Sequence, residues 1–481
     1  MTVDLFPNYI AGTWAAGNDA APNINPSDLN DTIGHYAQAS ASQTVDAIEA
    51  AAAAFPKWRA TSPLVRFEAL DRIGSEILAR VDELGDMLAR EEGKTLSEAK
   101  SEAHRAGHLF KYFAAETYRA TGDLYQSLRS GVSLKVLREP IGVVGVITPW
   151  NFPLAIPAWK IAPALAYGNT VVFKPAELVP GSAWMLSDII ARAGLPEGVF
   201  NLVMGTGAEV GAAIVAHPKV SGITFTGSTP VGRKIGAGLF ARGAKMQLEM
   251  GGKNPLIVLD DADLDLAVHC ALQGSFFSTG QRCTASSRLI VTEGIHDAFV
   301  ERLCAVMKDL RIGDARGTKT QIGPVASEAQ LAINKSYIKK AVADGATLAA
   351  GGRDVASTTP GYYFSPALFT DVSPQAAVAR DEIFGPIAAV LRVPDYDAAL
   401  AAANDSEFGL SAGIVTRDAT KIDHFSQNAE AGMIQVNLPT AGMDFHAPFT
   451  GRKGSSYGAP EKGSYCREFF TAAKVVHEGR G

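Results

Sequence analysis

From residue 141 onward the chain alternates short β-branched runs with stretches of helical length, and that alternation restricts the fold more than any other feature. Val143-Val144-Gly145-Val146-Ile147, Thr170-Val171-Val172-Phe173 and Gly222-Ile223-Thr224-Phe225 are strand-length and largely apolar. Residues 157–166, 183–193, 208–216 and 231–240 suit helices. A strand that is apolar on both faces must be covered on both, and alternation of strand and helix makes neighbouring strands parallel. The reading is an α/β chain with a doubly wound unit over residues 141–250. A second alternation follows, with strands at 255–259 and 288–291 and helices at 264–277 and 297–310. It predicts a second α/β unit running to about residue 445. Upstream, residues 43–120 read as helical, Ala-rich and charged segments taking turns. The stretch 126–137 and the tail from about 465 have strand-like composition but no neighbouring strand in sequence. Two isolated strands need a partner, which points to a joint sheet used in oligomerisation. At 481 residues, about three domains are expected.

Charge and cysteine usage exclude several function classes. Lys and Arg number 44 against 50 Asp and Glu, a net −6, and no basic run stands out. Nothing there neutralises a phosphate backbone, so no nucleic-acid partner is expected. The four cysteines, Cys270, Cys283, Cys304 and Cys466, form no CxxC pair. Their spacing suggests neither a disulfide framework nor a metal site, the usage of a reducing cytosol. The segment Met1 to Pro7 has an early acid and no basic region ahead of an apolar stretch, so no signal peptide is expected. No apolar run reaches the ~18 residues that span a bilayer. A cytoplasmic protein without a membrane partner is the expectation.

Five segments carry the chemistry. In Ser278-Thr279-Gly280-Gln281-Arg282-Cys283-Thr284-Ala285 a Cys follows a Gly-containing turn at the end of a predicted helix. Gly280 lets the backbone expose the thiol, and Arg282 offers an electropositive neighbour. For a Cys taken alone, a small buried hydrophobe is the better reading, and it is applied to Cys270, Cys304 and Cys466. In Leu248-Glu249-Met250-Gly251-Gly252-Lys253-Asn254-Pro255 a carboxylate ends a strand before two glycines. Burial there would raise its pKa towards neutrality, as a general base needs; the alternative is a surface Glu before a turn. Thr148-Pro149-Trp150-Asn151-Phe152-Pro153-Leu154 follows a buried strand, where open α/β sheets hold ligands, and Asn151 can donate to an oxyanion. Its alternative is a Pro-rich turn with a structural aromatic. Phe173-Lys174-Pro175-Ala176-Glu177 puts an acid at the next strand end, fit for ribose hydroxyls and hostile to a 2′-phosphate. Phe225-Thr226-Gly227-Ser228-Thr229-Pro230 runs from a strand into a helix N-terminus, a phosphate-binding arrangement. Gly205-Thr206-Gly207-Ala208-Glu209-Val210-Gly211 mimics a dinucleotide fingerprint with the wrong last spacing, and reads as a turn with at most a packing role.

Together these segments resemble the aldehyde dehydrogenase superfamily. The resemblance runs from Ile10-Ala11-Gly12-Thr13-Trp14 to Thr471-Ala472-Ala473-Lys474 and takes in Asp260-Asp261-Ala262-Asp263-Leu264 and Asp381-Glu382-Ile383-Phe384-Gly385-Pro386. It implies a Rossmann-like NAD-binding domain (1–120 and 139–250), an α/β catalytic domain (251–450) and a bridging β-flap (121–138 and 451–481) that builds homodimers or homotetramers. Residue by residue it implies Cys283 as nucleophile and Glu249 as general base. Asn151 and the Cys283 N–H form the oxyanion hole. Ile147, Trp150, Gly227 and Ser228 line the cofactor site, Lys174 and Glu177 meet the adenosine ribose, and Glu382 and Phe384 meet the nicotinamide ribose. The implied cofactor is NAD, with NADP less favoured because of Glu177. Coenzyme-A-acylating members generally lack the base at Glu249, so hydrolysis to the acid is implied.

Within the family the chain is similar to dehydrogenases of 2-oxoglutarate semialdehyde (2,5-dioxopentanoate). Asn437-Leu438-Pro439-Thr440-Ala441-Gly442, Gly451-Arg452-Lys453-Gly454-Ser455-Ser456-Tyr457-Gly458 and the Gln281–Ser287 core carry that similarity. Thr450 departs from the Gly most members have. A carboxylate-bearing aldehyde needs a cation in the pocket. The candidates are Arg282, beside the thiol, and Arg105, on a helix that in relatives lines the substrate tunnel. Arg105 as a solvated helix residue, and Arg282 turned away onto a structural carboxylate, are equally good readings. Another group of semialdehyde dehydrogenases carries its Arg where this chain has Trp159, so any charge comes from elsewhere. Phe152, Trp159 and Phe445 are expected as apolar walls. Succinic or glutaric semialdehyde and neutral aliphatic aldehydes remain alternatives. A cysteine hydrolase would need His269 or His446, and neither has a triad context.

Overall fold

The apolar runs pair as parallel neighbours in a computed structural model that describes residues 5–119 and 122–479. Residues 1–4, where most of the leader expectation falls, lie outside the described residues. The first sheet has eight strands. In spatial order they are Ser456–Tyr457, Lys245–Glu249, Val220–Thr226, Val143–Ile147, Thr170–Lys174, Phe200–Leu202, Asn8–Ile10 and Thr13–Ala15. The five strands from Lys245–Glu249 to Phe200–Leu202 are parallel, and an antiparallel strand closes each side of that core. Every residue of Val143–Ile147 and Thr170–Lys174 is buried, the outcome for runs with no polar face. Helices Ala155–Ala166, Pro180–Ala191 and Thr229–Phe240 supply the crossovers. The 208–216 stretch starts as a π-turn, Gly207–Gly211, before its α-helix, Ala212–Ala216. The helical region becomes four helices, Ala41–Arg59, Pro63–Ala79, Val81–Glu92 and Leu96–Glu116. The last opens with a capping box between Thr95 and Glu98 and packs its apolar face into the same core as Ala155–Ala166.

The second sheet has seven strands in the order Thr347–Gly351, Ala367–Thr370, Ile387–Val393, Ser286–Thr292, Asn254–Val258, Ser411–Val415, Met433–Val436. All pairings are parallel except that of the Thr347–Gly351 edge. The third sheet corrects two boundaries. The stretch 126–137 is not one strand. It divides between Asp123–Gln126 and Val132–Pro140, which pair antiparallel. The tail forms helical turns at Ser464–Cys466 and Arg467–Phe470, and its strand begins only at Thr471. Thr471–Gly479 then pairs with Val132–Pro140 along its whole length, so the two isolated strands find each other within one chain. The bridging segment assigned to 451–481 is also divided. Arg452–Lys453 pairs with Phe408–Gly409, and Ser456–Tyr457 joins the first sheet. Among the described residues no helix is long and apolar enough to cross a membrane.

Candidate active site

A cleft of about 1180 Å³ opens at the carboxyl ends of the first sheet's strands and reaches across to the second sheet's side. Lys174 and Glu177 line it together with Asn151 and Cys283. Ile147, Trp150, Gly227, Ser228, Glu382 and Phe384 also line it. Two buried hydroxyls, Thr148 Oγ1 and Thr226 Oγ1, belong to residues lining the cleft and have no hydrogen-bond partner. Buried polar atoms are nearly always satisfied, so these two suit a polar guest.

The nucleophile loop is held by three long-range devices. The Leu264–Phe276 helix stops, and Ser278, Thr279 and Gly280 all take positive φ (50°, 56°, 64°). A Cβ on Gly280 would sit 2.3 Å from the Gly385 carbonyl oxygen, so no side chain fits there. Glu98 Oε1, from the Leu96–Glu116 helix, accepts from Ser278 N and Oγ at 2.8 Å each and from the Arg282 guanidinium at 2.9 Å. Asn254 Nδ2 donates to the Cys283 carbonyl at 2.7 Å and to the Ala285 carbonyl at 2.9 Å. The two glycines before it are there for close approach: a Cβ on Gly251 would lie 2.0 Å from a Glu382 oxygen and one on Gly252 2.8 Å from the Cys283 carbonyl oxygen.

For Arg282 this geometry decides between the two readings, in favour of the one that turns it away onto a structural carboxylate. Its guanidinium turns to Glu98 and Ser278 Oγ, so it is a strut of the loop and not a free cation for thiol or substrate. The Cys283 thiol is half-buried, and its pKa is pushed up to about 12 by burial and by the Glu382 and Glu249 carboxylates. Both causes favour the thiol over the thiolate.

Asn151 is buried, and one N–H of its carboxamide donates to the Gln281 carbonyl at 3.0 Å. That bond ties it to the nucleophile loop and leaves the second N–H for another acceptor. Its own carbonyl accepts from Lys94 Nζ at 2.6 Å, and Lys94 donates to Glu102 Oε2, also at 2.6 Å. Glu102 Oε1 accepts from Leu154 N and Ala155 N (2.9 and 3.1 Å). So Glu98 and Glu102, one helical turn apart, hold the nucleophile loop and the Asn151 loop from the same helix.

Glu249 is buried at the end of its strand and accepts from Ser456 Oγ. Burial, with the neighbouring Glu461 negative charge, raises its pKa well above the carboxylate range. Glu461 is itself engaged, accepting from Lys160 Nζ and, at 2.6 Å, from Trp159 Nε1. Also on the cleft lining, Glu177 Oε1 accepts from Gly207 N at 2.7 Å, and burial depresses the Lys174 ammonium pKa. Gly207, Ala208 and Gly211 line the cleft, so that segment is wall and not mere packing. Phe384 holds a positive φ of 58° and meets the Trp150 ring edge-to-face with centroids 5.2 Å apart. Glu382 accepts from Gly252 N at 3.0 Å, and burial lifts its pKa to about 7.

Arg105, Phe152, Trp159 and Phe445, expected on the substrate side, do not line the cleft. Trp159 stacks on Phe449, and Phe449 belongs to the small cluster against which Cys283 packs. Phe152 lies under Lys94 Nζ, and Phe445 stacks on His108. Arg105 is half-buried on the Leu96–Glu116 helix, without an ion pair or hydrogen bond among the described residues. Thr450 has no positive φ, so its backbone does not require Gly.

The aldehyde dehydrogenase family model matches residues 14–476. The chain belongs to that family. Alpha-ketoglutaric semialdehyde dehydrogenase of Bacillus subtilis is 43% identical over 477 residues, 98% of each chain. Alpha-ketoglutarate semialdehyde dehydrogenase of Haloferax volcanii is 39% identical over 480 residues, 99% of each. The crystal structure of an NAD-dependent aldehyde dehydrogenase from Sinorhizobium meliloti superposes with a TM-score of 0.97 at 33% identity, covering 99% of this chain and 95% of that one. As a member of the family the chain is an oxidoreductase acting on aldehydes. For this aldehyde dehydrogenase the sequence did not point to Lys94, Glu98 or Glu102. One signal was there to be read, the Thr95-Leu96-Ser97-Glu98 capping box, which marks where that helix starts but not what it holds. Lys234, Gln330 and Tyr337 on the cleft wall, and Lys462 beside Trp159, lie outside every motif and carried no signal.

Proposed function

We propose that the chain oxidises 2-oxoglutarate semialdehyde to 2-oxoglutarate with NAD. One observation supports the chemistry above all: Cys283 and Asn151, the latter tied to the Cys283 loop, line the same cleft as Lys174 and Glu177. Cys283 Sγ attacks the aldehyde carbon and its proton passes to a base, for which the nearby Glu249 is the candidate. The free Asn151 N–H and the Cys283 backbone N–H stabilise the resulting oxyanion. Bound in the cleft, NAD accepts a hydride from the substrate carbon. Glu249 then takes a proton from the water that cleaves the thioester, releasing the acid and restoring the thiol. The cleft residues fit that cofactor: Glu177 offers one free carboxylate oxygen for ribose hydroxyls, and the unpartnered Thr148 and Thr226 hydroxyls can bind polar groups.

The substrate reading is supported by the names of the two relatives and by Arg105, which has no anionic partner of its own. Purified protein assayed by NADH absorbance with acidic semialdehydes and neutral aldehydes, each with NAD⁺ and NADP⁺, tests it. The expected result is the highest kcat/KM for 2-oxoglutarate semialdehyde with NAD⁺. A higher value for pentanal than for the acid sinks the substrate; no NADH from any aldehyde sinks the reaction. The same proposal includes a homodimer or homotetramer in the cytoplasm. Exposed Leu124, Tyr125 and Val475 on the third sheet support the oligomer, and four unpaired cysteines the reducing compartment. Light scattering that returns a monomer removes the oligomer.

A further inference from the structure

Lys462 is among the most buried lysines of the chain, at 1% exposure, and no carboxylate lies within ion-pair distance of it among the described residues. Its Nζ donates to the Asp444 carbonyl at 3.2 Å and sits 5.2 Å from the Trp159 ring centre and 5.1 Å from that of Phe449. The adjacent Glu461 does not neutralise it, because Lys160 and Thr224 engage one oxygen and Trp159 the other. The backbone at Lys462 is in the left-handed region at φ 58°, which a side-chain-bearing residue holds only when its surroundings impose it. The positive charge of Arg105 opposes the Lys462 ammonium, and Arg105 too has no ion pair or hydrogen bond among the described residues. Cys283 packs against the small cluster of Leu410, Met433 and Phe449, and Phe449 is a ring beneath the Lys462 ammonium.

A buried ammonium without an anion is unfavourable, and a second unpaired cation beside it makes it more so. The two aromatic faces compensate in part. A carboxylate arriving between the two cations satisfies both. We infer that Lys462, with Arg105, anchors the carboxylate at the end of the aldehyde substrate remote from Cys283, and so sets the preference for acidic aldehydes. The inference rests on the semialdehyde reading and supplies the charge that Arg282, committed to Glu98, does not. Trp159 takes part as a wall under the ammonium, not as the site of the charge.

The test uses Lys462→Met and Lys462→Arg of the full chain, with 2-oxoglutarate semialdehyde and pentanal as paired substrates. A second readout is inhibition of pentanal oxidation by 2-oxoglutarate, the product. In Lys462→Met the KM for the acid is expected to rise about 30-fold or more, and the inhibition constant with it, while kcat for both aldehydes and KM for pentanal stay within about threefold. Lys462→Arg is expected to recover a large part of the acid preference. Equal losses on both substrates, or an unchanged KM for the acid, overturn the inference. Should Lys462→Met not fold, Lys462→Arg decides: the inference stands if that variant still prefers the acid and is still inhibited by 2-oxoglutarate. It falls if both are lost while pentanal turnover is kept. A wild-type protein that prefers pentanal overturns instead the substrate reading on which the inference is built, a result distinct from any in the variants.

Discussion

On the function proposed above, the cofactor and substrate ends of the site are made differently. The cofactor end is built by short contiguous segments, each at the carboxyl end of a parallel strand: 147–151, 174–177 and 226–228. The proposed substrate end, beyond the cleft's own lining, is built by single side chains from segments far apart, Arg105, Phe152, Trp159, Phe445, Phe449 and Lys462. A strand end positions several backbone groups at once, so its function travels with a local motif. A side-chain wall depends on where distant helices and loops meet, and one exchange alters it. The family can therefore keep one cofactor site and vary its aldehydes.

Cys283→Ala separates the two ends most severely. Aldehyde oxidation should fall at least about a thousandfold, while NAD⁺ affinity, measured by fluorescence titration, stays near wild type. A loss of NAD⁺ binding would mean the ends are not independent.

Arg282→Ala asks which end that arginine serves. With both partners largely buried (15% and 18% exposed), the variant leaves Glu98 uncompensated and should lose about 3–5 kcal/mol of stability in urea unfolding. Its remaining activity should drop alike on acidic and neutral aldehydes. A loss confined to acids would return Arg282 to the substrate end.

Glu177→Gln probes the cofactor end alone. The ratio of kcat/KM for NAD⁺ over NADP⁺ should shrink by about tenfold, through removal of a charge that repels a 2′-phosphate, with the aldehyde KM unchanged.

The smallest expected effect is in pH. Burial, with Arg105 acting against the ammonium, lowers the Lys462 pKa to about 8, and Glu461, Cys283 and Asp444 act in the opposite sense. The ammonium is present below that pH and is lost above it. The KM for acidic semialdehydes should therefore rise severalfold between pH about 7.5 and 9, while the KM for pentanal stays flat. A parallel rise for both substrates would assign the titration to the catalytic groups.

Much of the fold could be read beforehand, because its causes are local. A run with no polar face must be buried on both sides, and Val143–Ile147 and Thr170–Lys174 are. Phe200–Leu202, only three residues long, was too short to stand out. The 126–137 stretch hid a turn, and the tail's helical turns were masked by its strand-like composition. In the site, the segments holding Cys283, Glu249 and Asn151 were legible as motifs. Their supports were not, because Glu98 meets Arg282 across 184 residues and Trp159 meets Glu461 across 302.

By itself the sequence determined the layered α/β architecture, the strand-end segments of the cleft and the candidate thiol. Those follow from patterns a few residues long. Tertiary structure alone decided what each charge does. Arg282 stands next to the thiol in sequence but is committed to Glu98, and Lys462, 179 positions beyond the thiol, is left without a carboxylate partner among the described residues. The physical reason is that a charge's role is set by the ion it touches and the water it has lost, and both depend on contacts that no local pattern encodes.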